Sequence, residues 1–428
     1  MSFADRYLSK QKDFSPRIKN PPKEDLKFII VVPCYREPHV LRTINSLCEA
    51  SVPAVSAEII VVLNSSDTDN EETLQFNASS RSDLEQWAAR NSNNSFRLFI
   101  IELFDVPKKI AGVGFARKTG MDEAIHRFNQ IGNKNGVIIS FDADTTCDNN
   151  FIEKIDSHYR KFPDTIGSAV YFEHPVHGGD YSEDIYDAIA KYELHLRYFV
   201  QSLRHINFPY SYHTVGSCFN VRAEAYVKQG GMNKRQGGED FYFLHKIIPL
   251  GNFYDINSTR VIPSPRESGR VPFGTGPVVS RIIESEKKVY ESYQFEAFLE
   301  IEFFLKRTPY FYQVLAENKE TELDNLPHGI KYFLEKENVH EYLTEAYDNS
   351  STQFNFMKRF YQWFDAFKVI KCLNFLHQGI YSKNNIEIEA GNLLDRKGIV
   401  VNTRMPKELL AIYRKLDREE SWINPLQK

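Results

Sequence analysis

Residues 135–151 read NGVIISFDADTTCDNNF: an Asn-Gly turn, a β-branched run, then two aspartates separated by one alanine. A short apolar run bounded by turn signals fits a strand buried on both faces, the habit of a parallel sheet. If Asp142 and Asp144 close that strand, their side chains share one face, because strand side chains alternate with period two. Two like charges so close repel unless a cation or a proton intervenes. A hard divalent ion would relieve them, since Mg2+ and Mn2+ favour one or two carboxylates plus substrate phosphates. The competing reading is a plain turn, with Asp148, Asn149 or Asn150 capping the helical pattern FIEKIDSHYRKF that follows.

Three similar runs precede this one: KFIIVVPCY (27–35), AEIIVVLNSS (57–66) and FRLFIIELFD (96–105). Between them lie helical patterns, among them PHVLRTINSLCEA (38–50) and VGFARKTGMDEAIHRFNQIG (113–132). Four strands alternating with helices predict an α/β domain with a mostly parallel sheet flanked by helices. Ligands of such sheets collect at the carboxyl ends of the strands. Three polar clusters fall at those ends, at 35–37, 64–67 and 142–144, which favours one shared site.

The chain has 428 residues and a net charge of −4 with both signs interspersed, so no basic block points to nucleic acid. Its first residues are polar and lack the apolar core of a secretory signal. FIIVV (28–32) falls far short of the ~20 residues that span a bilayer. A soluble, cytoplasmic protein is the expectation, although peripheral membrane contact and homo-oligomer formation stay compatible with the sequence. Five cysteines at irregular spacing, with no CxxC, read as free thiols. Residues 1–25 read as a tail ending at Pro21-Pro22, residues 26–280 as the α/β domain, and 281–428 as an aromatic-rich helical extension. Apolar residues at Ile185, Ile189, Tyr192, Leu196, Phe199 and Leu203 form one stripe of a helix, whose default meaning is core packing.

Three further stretches carry chemistry. In RQGGEDFYFLHKI (235–247) two glycines allow a tight turn before Glu239 and Asp240 at a helix start. Acids there complement the helix dipole, or Asp240 is a general base aimed into a cleft. ESGRVPFGTGP (267–277), with Arg266 just before it and Arg270 within it, suits a loop that clamps phosphates, or an exposed linker. Arg117 and Lys118 stand near a helix N-terminus, where cations oppose the dipole, which hints at a task for one of them.

In this order the pieces resemble family 2 glycosyltransferases of the GT-A fold. IIVVPCYREPHVLRTINSL resembles the opening strand and turn of that family, and EIIVVLNSSDTD its second strand. GFARKTGMDEA resembles its basic helix, SFDADTTCDNNFI its DxD strand, and VGSCFNVRAEAYVKQGGMNKRQGGEDFYFLHKI its acceptor-side segment, over about 27–250. The resemblance implies a Rossmann-like GT-A domain that takes a nucleotide diphosphate-sugar donor. It implies that Pro33, Tyr35, Glu37, Asn64, Arg117 and Asp142 line the nucleotide pocket. It further implies that Asp144, with Asp142, holds Mg2+ or Mn2+, and that Asp240, with Glu239 beside it, is the catalytic base. Arg266 and Arg270 remain candidates for a phosphate clamp, and His213 and His245 for a third metal ligand. Asn64 and Lys118 depart from the family pattern, which leaves the donor base open among UDP, GDP and dTDP. The expected activity is inverting, metal-assisted transfer of a hexose to a hydroxyl of a glycan, lipid-linked or small-molecule acceptor. The alternatives are a sugar nucleotidyltransferase, disfavoured by the lack of glycine in VVPCYREP, and a catalytically degenerate binding scaffold.

Overall fold

The computed structural model describes residues 2–12, 14–50, 55–91, 96–269, 274–420 and 422–426. It divides into two compact units. The first comprises Met1–Tyr186 and Thr214–Arg281; the second comprises Asp187–His213 and Ile282–Lys428.

The first unit runs in chain order α1 (Asp5–Leu8), β1 (Leu26–Cys34), α2 (Val40–Glu49), β2 (Ser56–Ser66), α3 (Glu71–Arg90), β3 (Phe96–Val106), α4 (Val113–Gln130) and β4 (Val137–Ser140). It continues with β5 (Thr146–Cys147), α5 (Phe151–Lys161), β6 (Gly167–Phe172), the start of α6 (Glu183–His205), β7 (Phe219–Arg222), α7 (Ala223–Lys228), α8 (Glu239–Ile247), β8 (Phe253–Ile262) and most of α9 (Thr275–Glu284). One eight-stranded sheet has the order β3-β2-β1-β4-β7-β6-β8-β5. β1 to β4 are parallel to one another, as is β6 to β8, whereas β7 runs against β4 and β6, and β5 against β8. This is the mixed, mostly parallel sheet with flanking helices that the GT-A expectation requires. The four expected strands are all present, and β1 and β2 are buried along nearly their whole length, as their unbroken β-branched runs imply.

The register brings the expected strand ends together. Cys34 lies opposite Leu63, Asn64 opposite Leu103, and Val31 opposite Ser140. β4 stops at Ser140, two residues short of Asp142, so neither aspartate is a strand residue and period-two alternation does not orient them. They sit in the turn beyond it, which Thr145 N–H closes onto the Asp142 carbonyl at 3.2 Å. Asp148 does not cap α5 with its side chain; it accepts from Arg260 Nη2 at 3.0 Å instead.

Residues 2–12 and 14–18 are seated on α4. Tyr7 is buried, and its hydroxyl donates to Asp122 Oδ1 at 2.6 Å; Glu123 accepts from the backbone N–H groups of Arg17 and Ile18. Lys118 closes this network through Asp122 Oδ2 at 2.6 Å, which accounts for its burial without any ligand.

The second unit takes the rest of α6, then α10 (Phe295–Lys306), α11 (Thr308–Ala316), α12 (His328–Lys336), α13 (Val339–Asp348), α14 (Gln353–Trp363), α15 (Ala366–Gly379), α16 (Ile386–Arg396) and α17 (Pro406–Glu419). Phe304 centres its aromatic core, with ring centroids 5.2 Å from Phe360 and 5.1 Å from Phe364. Of the apolar stripe expected on α6, Ile189 and Leu203 are buried, while Tyr192, Leu196 and Phe199 are only partly so. The deep face carries charge: Arg197 spans Glu193 at 2.8 Å and Asp417 at 2.5 Å, and Arg414 reaches Glu193 at 2.8 Å. Buried ions persist when each is paired and hydrogen-bonded, as these are.

Candidate active site

Arg117 organises the carboxyl ends of the sheet in the first unit. It is the fifth residue of α4, past the first turn, so the dipole argument does not apply to it. Its guanidinium is buried and donates to Asp142 Oδ1 at 2.9 Å, Glu239 Oε1 at 3.0 Å, Ser140 Oγ at 2.6 Å and the Gly216 carbonyl at 3.2 Å. Four acceptors engage one planar fork, a geometry that a lysine ammonium cannot reproduce. Through it, residues from the end of β4 and the start of α8 meet although they lie about a hundred positions apart in sequence. Desolvation works against this buried cation, but the Asp142 and Glu239 charges outweigh it and hold its pKa above the ordinary value.

Asp240 is the next residue on α8. Gly238, in the left-handed region at φ 67°, turns the chain into that helix. Asp240 Oδ1 accepts the N–H of Phe241 at 2.7 Å. Its Oδ2 lies so close to Gly216 that a Cβ added there would stand 2.9 Å from it and 3.0 Å from Arg117 Nη2. Burial, then the charge of Glu239, pushes the Asp240 carboxyl up to about 7, with Arg117 pulling the other way. A carboxyl poised near neutrality is matched to proton acceptance.

A second cluster lies on the other flank of the aspartate turn. Glu37 is buried and accepts from Arg266 Nη1 at 3.1 Å and also from Nη2; the same Nη2 donates to Asp144 Oδ2 at 2.9 Å. Arg266 follows Pro263 and Pro265 at the end of β8, where two fixed φ angles stiffen the backbone that presents it. A cleft beside Asp144 is lined by His39, Thr43, Asp180, Tyr181 and Ser264 among others.

The remaining expected residues fall as follows. Pro33 is within β1 beside the turn. Tyr35 donates its hydroxyl to Asp69 at 3.1 Å. Asn64 is buried at the end of β2, its backbone carbonyl bonded to Asn77, and its side-chain Oδ1 has no hydrogen-bond partner among the described residues. A buried orphan acceptor is costly unless something fills it. Arg270 lies outside the described residues. His213 is in the second unit, where it meets Asp417 at 3.2 Å, and His245 is held well down, to about 3, by burial against Phe241. The sequence reading missed Ser140 and Gly216; Ser140 stands one residue before the quoted FDAD, and Gly216 within VGSCF, but nothing local marks either as a partner of Arg117.

Among the described residues, no group of three or more His, Cys, Asp or Glu side chains could hold a metal ion unaided. Mg2+ and Mn2+ do not demand one, since substrate phosphates complete their shells. The donor chemistry suits such an ion: Glu37, Asp142, Asp144, Glu239 and Asp240 supply hard oxygens, and Arg117 and Arg266 are among the cations beside them. Asp144 and Asp142 are partly exposed, at 29% and 35% of side-chain surface.

No described helix is long and apolar enough to cross a membrane, and none of the five cysteines forms a disulfide. No curated protein matches the chain. Among solved structures, Staphylococcus aureus TarS residues 1–349 in complex with UDP-GlcNAc is 13% identical, covering 90% of this chain and 91% of that one at a TM-score of 0.39. The mannosyltransferase PcManGT from Pyrobaculum calidifontis, in complex with GDP-Man and Mn2+, is 12% identical, covering 97% and 93% at a TM-score of 0.36. The family model described as glycosyl transferase family 2 matches residues 29–226, which span β1 to α7 and include Arg117 and the aspartate turn. Over those residues this chain is similar to glycosyl transferase family 2.

Proposed function

We propose that the chain is an inverting glycosyltransferase that moves a hexose from a nucleotide diphosphate-sugar to an acceptor hydroxyl. The acceptor is a glycan, a lipid-linked molecule or a small molecule. One observation carries the reading: a single buried guanidinium holds Asp142, on the donor side, and Glu239, next to Asp240, in one cluster.

In this reading Pro33, Tyr35, Glu37 and Asn64 line the nucleotide pocket. The orphan Oδ1 of Asn64 is an acceptor suited to the imino N–H that uracil and guanine both present. Asp144 and Asp142 would hold Mg2+ or Mn2+, which when bound supplies Lewis-acid stabilisation of the departing diphosphate. Asp240 takes the proton of the acceptor hydroxyl as that oxygen attacks the anomeric carbon. Arg117 fixes the neighbouring acids and, as a permanent cation, keeps Asp240 from rising further. Glu239 locks Arg117 to α8, and Arg266 stands ready to meet phosphate oxygens.

A panel of UDP-, GDP- and dTDP-sugars, each with and without Mn2+, tests the reading by thermal shift and by release of nucleoside diphosphate. Ligands that bind only the folded state raise its apparent stability. Stabilisation by one nucleotide family together with diphosphate release supports it. Pyrophosphate release from a nucleoside triphosphate would replace it with nucleotidyl transfer.

Two outcomes follow from the geometry. Because Asp240 acts deprotonated, kcat/KM for transfer rises with pH and levels off above its pKa of about 7. A profile flat from pH 5.5 to 8.5 would remove Asp240 from the role of base. Gly216→Ala puts a Cβ 2.9 Å from Asp240 Oδ2 and 3.0 Å from Arg117 Nη2, so these side chains must shift. Turnover should fall about ten- to a hundredfold, the usual effect of ångström-scale misplacement, with nucleotide binding changed little.

A further inference from the structure

The described partners of Arg266 raise a problem that the proposed function leaves open. The residue best placed to clamp a diphosphate is already engaged by two carboxylates, and one of them, Asp144, is the candidate metal ligand. One cation cannot serve Asp144 and the phosphates at full strength, and one Asp144 oxygen cannot hold Arg266 and a divalent ion without setting the two cations against each other. A guanidinium carries five N–H donors. Here Nη1 and Nη2 point at Glu37 and Asp144, while Nε is buried with no hydrogen-bond partner among the described residues. A buried N–H left unsatisfied costs free energy, and an anion arriving at Arg266 would satisfy it. Glu37 is buried, so it needs a cationic partner in the donor-free protein more than the partly exposed Asp144 does.

We propose that Arg266 is an exchangeable counter-ion: it holds Asp144 in the donor-free protein and gives it up when a divalent ion and the nucleotide diphosphate bind together. The inference rests on the proposed nucleotide-sugar function and adds an order to it. Metal alone binds weakly because it must displace a guanidinium from Asp144. Nucleotide and metal arriving together bind well, because Arg266 moves from a carboxylate to a phosphate and keeps an anionic partner throughout. The two ligands are therefore positively coupled through one side chain, and that coupling is reciprocal.

The arrangement gives Arg266→Ala opposite effects on two affinities, which a purely structural arginine would not. Mn2+ binding is measured by electron paramagnetic resonance of the free ion and by titration calorimetry, first without nucleotide and then with UDP or GDP. In the unmodified protein, Mn2+ alone binds at least about tenfold more weakly than Mn2+ with nucleotide. In Arg266→Ala, Mn2+ alone binds about fivefold or more tightly than in the unmodified protein, while UDP or GDP in saturating Mn2+ binds at least tenfold more weakly. Arg266→Gln, which keeps a hydrogen-bonding side chain without the charge, gives the same signs and serves if the alanine variant does not fold. Mn2+ affinity unchanged or lowered in both variants overturns the exchange, as does nucleotide affinity unchanged in both. If neither UDP nor GDP binds the unmodified protein, the nucleotide-sugar reading falls. The nucleotide-free Mn2+ arm still decides whether Arg266 guards Asp144.

Discussion

Asp240→Asn lowers sugar transfer by about a thousandfold or more while UDP or GDP binding stays within about twofold. The magnitude follows from general base catalysis, which contributes roughly 10²–10⁴. Binding is spared because the amide keeps the shape of the carboxyl and its contact with Phe241 N–H, and because the proposed nucleotide-pocket residues lie on β1, just past its end, and on β2. Steady-state transfer and calorimetric nucleotide binding read the two effects; a variant that transfers at the native rate removes Asp240 from the chemistry. Stability should move the other way. The folded-state pKa is raised from the ordinary carboxylate value of 3.8 to about 7, so the folded protein binds more protons than the unfolded chain across that window. Stability contributed by this group therefore declines as pH rises from about 4 to about 7 and stays low above it. Asparagine has no such term, so the variant gains Tm over the native protein most clearly above pH 7. A destabilised group at the reacting position is the usual exchange of stability for activity.

Arg117→Ala costs about 3–5 kcal/mol of folding stability and abolishes transfer. Removing one partner of a buried pair strands the others, and here Glu239 is itself buried, with Asp142 and Asp240 close by. Ser140 Oγ also loses a partner, although it keeps the Gly216 carbonyl at 2.6 Å. Urea unfolding gives the loss as a lowered midpoint. Arg117→Lys recovers little, because a single ammonium cannot span acceptors on β4, α8 and the 214–218 segment. Pairing Arg117→Ala with Glu239→Gln should cost less than the two separate losses combined, since residues in one network do not act additively. Additive losses would show that Arg117 and Glu239 are not coupled.

The parts legible in the sequence were those written in local pattern. Apolar runs at 28–32, 59–63, 98–101 and 137–139 announced β1 to β4, and their turn residues announced where a site would form. β6 and β7 were not announced. GSAVYF and FNVR are short, and their places in the sheet are set by partners more than fifty residues away. The aspartate turn was found, but its orientation was misread, because β4 ends at Ser140 and the alternation rule stops with it. Arg117 was singled out for standing where a cation opposes a helix dipole, whereas its burial among acids is a consequence of tertiary packing. The pairing of Glu37 with Arg266 joins residues 229 apart, and no spacing rule reaches that far. Asp148 and Lys118 show the same limit from the other side: each has a composition-level reading, and each is taken by a distant partner, Arg260 and Tyr7.

α6 has a consequence for how the polypeptide is made. Its first turn belongs to the unit that carries the candidate active site, and its remainder, from Asp187, belongs to the helical unit. During synthesis the ribosome delivers Glu193 and Arg197 long before Arg414 and Asp417, the residues that neutralise them in the finished fold. For that interval two charges destined for a dry interior must remain in water. The helical unit can close only once α17 has emerged, and a chain ended near residue 281 would leave Glu193 and Arg197 with each other but without Arg414 and Asp417.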